Sequence, residues 1–353
     1  MIVHVPWWTP RNRTPTESPR AGGEAHTQTM SFEHESVEAL VRDSIGDPLA
    51  PFALRPEKLY VSSPDGRAVV AYAVRLGVAV ASGDPVGADA EARDAAIDAF
   101  VRRAGRRPIA VLGAGEAHRR TWEAHGLHAV PIGRDVVIET TTFHLTGRRF
   151  RNLRQAIART RNAGVTVEIV REGEFPESDT AAVLRMERAA GHDPGRGFSM
   201  ILGRMLDGAA PDAVIALART AEGTVCAAHR YLPAGPEDLS LDEPLRAPGA
   251  PNGVDERLTD EVLAWARDHG YKRVSLAFAP FPDLFSGSSH PVLKRAAHAF
   301  DPLIHVERLY RYLRKYHSFD QERAVLLRWH QLPRVAAALL LLEFGSYGRR
   351  TAL

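Results

Sequence analysis

Twice along this chain the apolar pattern runs through the same order, and that order limits the folds open to it. Short strand-like runs come first, then an amphipathic helix, then a closing strand. In the first half the runs are Lys58 to Ser62, Ala68 to Val74 and Gly77 to Ser82, with Pro64-Asp65-Gly66 as the turn between the first two. A helix over Ala90 to Ala104, a strand at Pro108 to Leu112, a helix at Ala117 to His125 and a strand at Asp135 to Glu139 follow. The second half opens with a helix from Arg148 to Ala163, closed by Gly164. Next come a strand at Thr166 to Val170, a helix at Asp179 to Ala190, strands at Ala213 to Thr220, Val225 to Leu232 and Leu239 to Leu241, a helix at Glu256 to His269 and a strand at Arg273 to Ala277. Helices are expected after Pro291 and Val306, and an earlier one carries Phe32, Val37, Leu40 and Val41. The reading is an α/β chain with mixed sheets, built of two similar units side by side.

Four segments are expected: a disordered tail over 1–29, rich in Pro, Thr, Gly and Arg; a first unit over 30–146; a second over 147–330; and a C-terminal helix and tail over 331–353. The 353 residues suffice for two cores, and a net charge of +2 means that any nucleic acid must be met by a local patch. A single cysteine, Cys226, excludes a disulfide framework and fits a reducing cytoplasm. The longest apolar run, Val335 to Leu342, falls far short of the roughly 20 residues that span a bilayer, and Met1 to Trp8 has no secretory-signal pattern.

The segment Ser240-Leu-Asp-Glu-Pro-Leu-Arg246, followed by Asn252-Gly253 and an amphipathic helix, carries the densest chemistry. Just past a strand it sets a carboxylate and a guanidinium that can hold an amino-acid-like group, Asp242 facing an ammonium and Arg246 a carbonyl or phosphate oxygen. Taken alone, the segment reads first as a solvated loop with a surface ion pair. Residues 148 to 161 hold Arg148, Arg149, Arg151, Arg154, Arg159 and Arg161 and no acid, with Phe150, Leu153, Ile157 and Thr160 as the buried stripe. Unrelieved repulsion on one helix points to phosphate, and six phosphate contacts would cost roughly 10³-fold in affinity between 50 and 200 mM salt. A second basic stripe holds Arg308, Arg311, Arg314 and Lys315 among Leu309, Tyr310, Tyr312, Leu313 and Tyr316, with its aromatics read as core.

Gly83-Asp84-Pro85-Val86-Gly87 reads as a tight strand exit, with Asp84 as a cap or pocket hydrogen-bonder. Gly113-Ala114-Gly115 lacks a full dinucleotide fingerprint, and His118, His125 and His128 lack a carboxylate ligand set, so neither a nicotinamide or flavin site nor a metal site is expected.

Together with Leu276-Ala-Phe-Ala-Pro-Phe281, these motifs over Phe32 to Leu327 resemble the C-terminal domain of phosphatidylglycerol lysyltransferases. The resemblance implies a tandem N-acetyltransferase-like (GNAT-like) fold and transfer of an aminoacyl group from charged tRNA, with no cofactor besides that co-substrate. It also implies Asp242 and Arg246 as holders of the aminoacyl group, Lys315 as a positively charged residue facing the cleft, and the strand end at Ala279 as a cleft wall whose N–H groups steady an oxyanion. Asp242 keeps the family distance to Asn252-Gly253, Arg246 stands one place late, and Leu313 replaces the first lysine of the family's Phe-Lys-x-Lys-Phe. Asp84, Asn252, Ala279, Arg148, Arg149, Arg151, Arg154, Arg308 and Arg311 complete the expected substrate surface. The expected acceptor is a small soluble hydroxyl or hydroxylamine compound. The alternatives are a phosphatidylglycerol-type lipid met through peripheral contact by Leu332 to Phe344, an acetyl-CoA-dependent N-acetyltransferase, and a non-catalytic RNA- or lipid-binding module.

Overall fold

The computed structural model describes residues 34–190, 198, 201–203, 205–280 and 311–344; the expected tail over 1–29, the helix expected after Pro291, and Arg308 lie outside these residues. Among the described residues, twelve strands form one mixed sheet, and each half builds its part by the same rule. A helix α1 (34–42) precedes β1 (Leu59–Ser62), β2 (Ala68–Arg75), β3 (Val78–Ser82) and the short β4 (Val86–Gly87). Helix α2 (Ala90–Ala104) then crosses over to β5 (Ile109–Ala114), which pairs in parallel with β3, and α3 (Arg119–Ala124) leads to β6 (His128–Glu139). The second half runs α4 (Arg151–Asn162), β7 (Thr166–Arg171), α5 (Glu177–Ala189) and an antiparallel meander of β7, β8 (Val214–Arg219), β9 (Val225–Ala234) and β10 (Asp238–Arg246). Helix α6 (Val254–Asp268) crosses to β11 (Arg273–Pro280), parallel to β10. A helical turn (311–316), β12 (Phe319–Leu327) and α7 (Leu332–Phe344) follow.

The strand order is β1-β2-β3-β5-β12-β6-β11-β10-β9-β8-β7. The two halves therefore exchange their closing strands. β6, which ends the first half, lies beside β11 of the second, and β12, from late in the chain, lies between β5 and β6. One continuous sheet results, and neither half has its own closed edge at the join. The mixed α/β class and tandem layout that the sequence implies are the ones observed.

Why these segments fold this way is visible in their patterning. In β2, Val70 and Tyr72 pack under α2 with Ile97 and Phe100, while Val69 and Ala71 pack under α1. Helix α2 starts at Asp89, whose carboxylate accepts from Ala92 N at 2.9 Å, and stops at Gly105 with φ +59°. In α4, Leu153, Ile157 and Thr160 are buried as the stripe predicts, and every arginine of the segment is exposed.

Helices α4 and α6 come together at Gly253. Its φ is +99°, and a Cβ there would stand 2.6 Å from Ala156 O. Gly253→Ala is expected to cost about 2 kcal/mol or more, from the left-handed backbone and the forced separation of the helices, read as a lowered urea midpoint at unchanged m-value.

Candidate active site

β10 is longer than the sequence suggests: the segment read as a loop is strand as far as Arg246. A register break between Leu241 and Glu243 makes Asp242 the extra residue of a β-bulge. Before the break, Leu239 and Leu241 face the core under α4 and α6; after it, Leu245 faces the core under α5. The bulge reverses the alternation, and it lies between Asp242 and the arginine that stands one place late.

The reversal separates the two residues expected to act as a pair. Asp242 is fully buried on the side of Arg230, which donates from Nη1 to its Oδ2 at 2.7 Å, while Leu202 N donates to Oδ1 at 2.7 Å. Arg230 is itself buried and donates from Nε to Glu172 Oε2 at 2.6 Å. Arg246 turns to the α6 side, where it donates to Asp255 Oδ2 at 3.3 Å, to Ala250 O at 2.7 Å and to Pro251 O at 3.1 Å. The expectation that Asp242 and Arg246 flank one group is thus revised: the carboxylate's companion is Arg230, and Arg246 ties down the turn that starts α6. Asn252, exposed in that turn, accepts from Arg246 at 3.5 Å.

Past the bulge the sheet opens. β10 and β11 pair only over Asp238–Ser240 and Arg273–Ser275; β10 then follows β9, and β11 follows β6. The carboxyl ends of two parallel strands thus part, which in open α/β sheets is where ligands lodge. Ala279, buried on β11 beyond the parting, pairs with Arg134 of β6. Among the described residues, Arg230 Nη2 and Ser240 Oγ are buried without a hydrogen-bond partner. Burial pushes the Asp242 carboxyl above its ordinary range against the pull of Arg230, with Glu243 adding to the rise. Burial raises Glu172 as well, again against Arg230. Burial also opposes the charge on Arg230, but Asp242 and Glu172 outweigh it and its pKa rises.

On the α6 side, His229 lies within 3.3 Å of both Asp255 Oδ1 and the Tyr231 hydroxyl, and Thr259 bonds Tyr312. Despite burial, the His229 contact and the Arg246 charge hold Asp255 below the usual carboxylate range. Lys315 reaches Glu256 near the start of α6, a salt bridge that brings it to this face; Arg311 is exposed on the same helical turn.

The basic segment keeps most of its charge unspent. Arg154 donates to Leu145 O and Gly147 O, and Arg161 stands 3.5 Å from both Asp260 and Glu261. Among the described residues, Arg148, Arg149, Arg151 and Arg159 pair with no acid. Arg149 and Phe150 border a pocket of about 380 Å³ whose far walls come from the end of β6 and the start of β12.

Asp84 belongs to another cluster. It accepts from Gly115 N at 3.0 Å and from Arg323 at 3.1 Å, and the same buried guanidinium binds Asp135 at 2.6 Å and Asp47 at 3.1 Å. This cluster stands where β3 and β5 end, the counterpart in the first half of the parting of β10 and β11. Asp84, partly buried, thus hydrogen-bonds across strand ends.

Sequence reasoning missed Arg230, Glu172, Asp255 and Arg323. The signal for Arg230 was present: His229-Arg230 interrupts the otherwise small and apolar run of β9.

Residues 38–326 match the family described as phosphatidylglycerol lysyltransferase, C-terminal. The chain belongs to that family. It is 44% identical over 322 residues to the MprF-like domain protein Rv1619 of Mycobacterium tuberculosis, covering 87% of this chain and 66% of that protein. It is 34% identical over 333 residues to the lysylphosphatidylglycerol biosynthesis bifunctional protein LysX of Rhodococcus jostii, covering 89% of this chain but only 30% of the relative. This member of the family thus spans less than a third of that bifunctional protein. Among solved structures, L-PGS from Bacillus licheniformis superposes with a TM-score of 0.73 at 19% identity, covering 87% of this chain and 95% of that one. The DUF2156 C-terminal domain from Agrobacterium fabrum gives 0.74 at 20%, over 91% and 100%. Among the described residues no helix is long and apolar enough to cross a membrane, and no group of side chains is arranged to hold a metal ion.

Proposed function

We propose that this chain is an aminoacyltransferase that moves an aminoacyl group from charged tRNA to a hydroxyl or hydroxylamine acceptor. The observation that carries the reading is the buried cluster at the parting of β10 and β11, where two carboxylates, Glu172 and Asp242, share the single guanidinium of Arg230. The surplus negative charge suits the α-ammonium of an aminoacyl ester, and Arg230 Nη2 is the donor left for its carbonyl oxygen. An aminoacyl ester is already activated. The acceptor oxygen or nitrogen attacks the ester carbonyl, the carbon–oxygen bond to the terminal ribose breaks, and the acceptor's proton ends on the ribose hydroxyl. The exposed arginines around α4 meet phosphates, and Lys315 adds positive charge beside α6.

A lipid acceptor is the second reading. Trp329, Leu332 and Leu341 are exposed around α7, and Arg334 stands among them with its Nε donating to Leu76 O. Such a face suits the interface of an anionic bilayer.

The test is incubation with a mixture of radiolabelled aminoacyl-tRNAs, an extract of small molecules and anionic vesicles, followed by phase extraction. Label should leave one aminoacyl-tRNA, and the phase that holds it decides the acceptor class. If no label moves, the transferase reading is lost. Four unspent arginines imply that tRNA affinity drops about 10²-fold between 50 and 200 mM salt. Arg148→Glu with Arg151→Glu should flatten that dependence and raise KM for tRNA.

A further inference from the structure

We propose that the pocket between α4 and the start of β12 is a single-nucleotide subsite that takes an unpaired base of the RNA, with its phosphate on Arg149. The proposal rests on the tRNA reading and extends it to a place where none of the expected site residues except Arg149 falls. Three features of the pocket argue for a nucleotide.

The first is its walls. Phe143, His144, Phe150, Tyr316, His317 and Phe319 border a space of about 380 Å³, which suits one nucleotide. Phe319 begins β12 with 40% of its surface open, which leaves ring area on which a base can stack. Phe143 and Phe150 meet edge to face at 5.3 Å, which fixes the floor. The second is polar chemistry at the rim. Glu139, Asp320 and Ser318 supply acceptors for ribose hydroxyls and exocyclic amines. The third is continuity with positive charge. Arg149 lies at the mouth with its guanidinium over the Phe150 ring at 4.7 Å, and Arg148 and Arg151 adjoin it in sequence with no acid among the described residues to neutralise them. Gly147 at φ +79° turns the chain into this rim, and Arg154 holds the turn through its two carbonyl contacts. A free amino acid would also find acids opposite an arginine here, but it would leave the open ring of Phe319 uncovered. Aromatic rings beside a basic track are the elements that single-stranded nucleic acid requires.

The experiment measures binding of a fluorescent single-stranded RNA of twelve nucleotides and of a duplex of equal charge, by anisotropy at fixed salt. The proteins are wild type, Phe319→Ala, Phe319→Trp and Arg159→Ala, each checked for an unchanged melting temperature. Phe319→Ala should weaken the single strand by about tenfold to a hundredfold, the range of base stacking on an aromatic ring, and leave the duplex unchanged. Phe319→Trp should restore single-strand binding, and Arg159→Ala should weaken both probes to a similar, smaller extent. Equal binding of the single strand by wild type and Phe319→Ala would overturn the subsite while leaving the tRNA reading intact. Displacement of the single strand by free amino acid would assign the pocket to that ligand instead. Failure of wild type to bind either RNA would overturn both the subsite and the tRNA reading.

Discussion

Arg323→Met is expected to destabilise the fold by about 3–5 kcal/mol, the cost of removing one partner from a buried ion cluster. Arg323 is fully buried and donates to Asp135, Asp84, Asp47 and Gly113 O, so the variant strands three carboxylates at the centre of the sheet. These residues come from β6, the ends of β3 and β5, and the turn before β1, while Arg323 itself comes from β12. The guanidinium therefore fastens the strand that the second half contributes to the first.

The loss should depend on pH with a definite sign. Burial pushes Asp135 up to about 6, against the pull of Arg323, and raises Asp84 as well. A folded-state pKa above the unfolded value of 3.8 means that the folded chain holds the proton more tightly across that interval. The stabilisation from that proton is complete below the unfolded value and is lost as pH rises through about 6. Without Arg323 the carboxylates lose the charge that opposes this rise, so ionising them costs still more. Urea unfolding should thus show Arg323→Met losing more stability at pH 7 than at pH 5. An equal loss at both values would mean that the cluster is not held by charge.

Local pattern carried much of this fold, and long-range pairing carried the rest. Helix α2 announces itself through a cap and a terminal glycine, α4 through a terminal glycine and an apolar stripe, and β3 through an unbroken run of small apolar residues. β10 was cut short because Asp242, Glu243 and Pro244 have loop chemistry; burying the two acids depends on a register break and, for Asp242, on Arg230 from the neighbouring strand. β12 was missed for a related reason. Phe319 to Arg323 mixes an aromatic with Asp, Gln, Glu and Arg, and its inner residue is neutralised by acids more than 180 positions away. The exchange of closing strands between the halves has no local signature at all. The site follows the same division: the arginines around α4 were legible as a face, and Asp242 was legible as a residue, but its partner was not. Spacing placed Arg246 beside it in sequence, and one extra residue in the strand turned the two to opposite faces.

That reassignment makes Asp242→Asn the sharpest test of the chemistry. The variant keeps the shape of the side chain and removes the charge that, with Glu172, outnumbers Arg230. One of its two terminal atoms becomes a donor, yet both present contacts, Arg230 Nη1 and Leu202 N, are themselves donors. Transfer should fall by about 10²-fold in kcat/KM, the scale of losing a charge-assisted contact in a buried site. Lost activity alone would also follow from a loosened cluster, so the decisive readout is selectivity. Wild type should prefer a free aminoacyl-tRNA over its N-acetylated form, because acetylation removes the ammonium that the carboxylates are held to receive. Asp242→Asn should lose most of that preference, while Arg246→Gln, on the other face of the sheet, should keep it. A preference unchanged in Asp242→Asn and abolished in Arg246→Gln would move the ammonium to the α6 side and return Arg246 and Asp255 to the centre of the site.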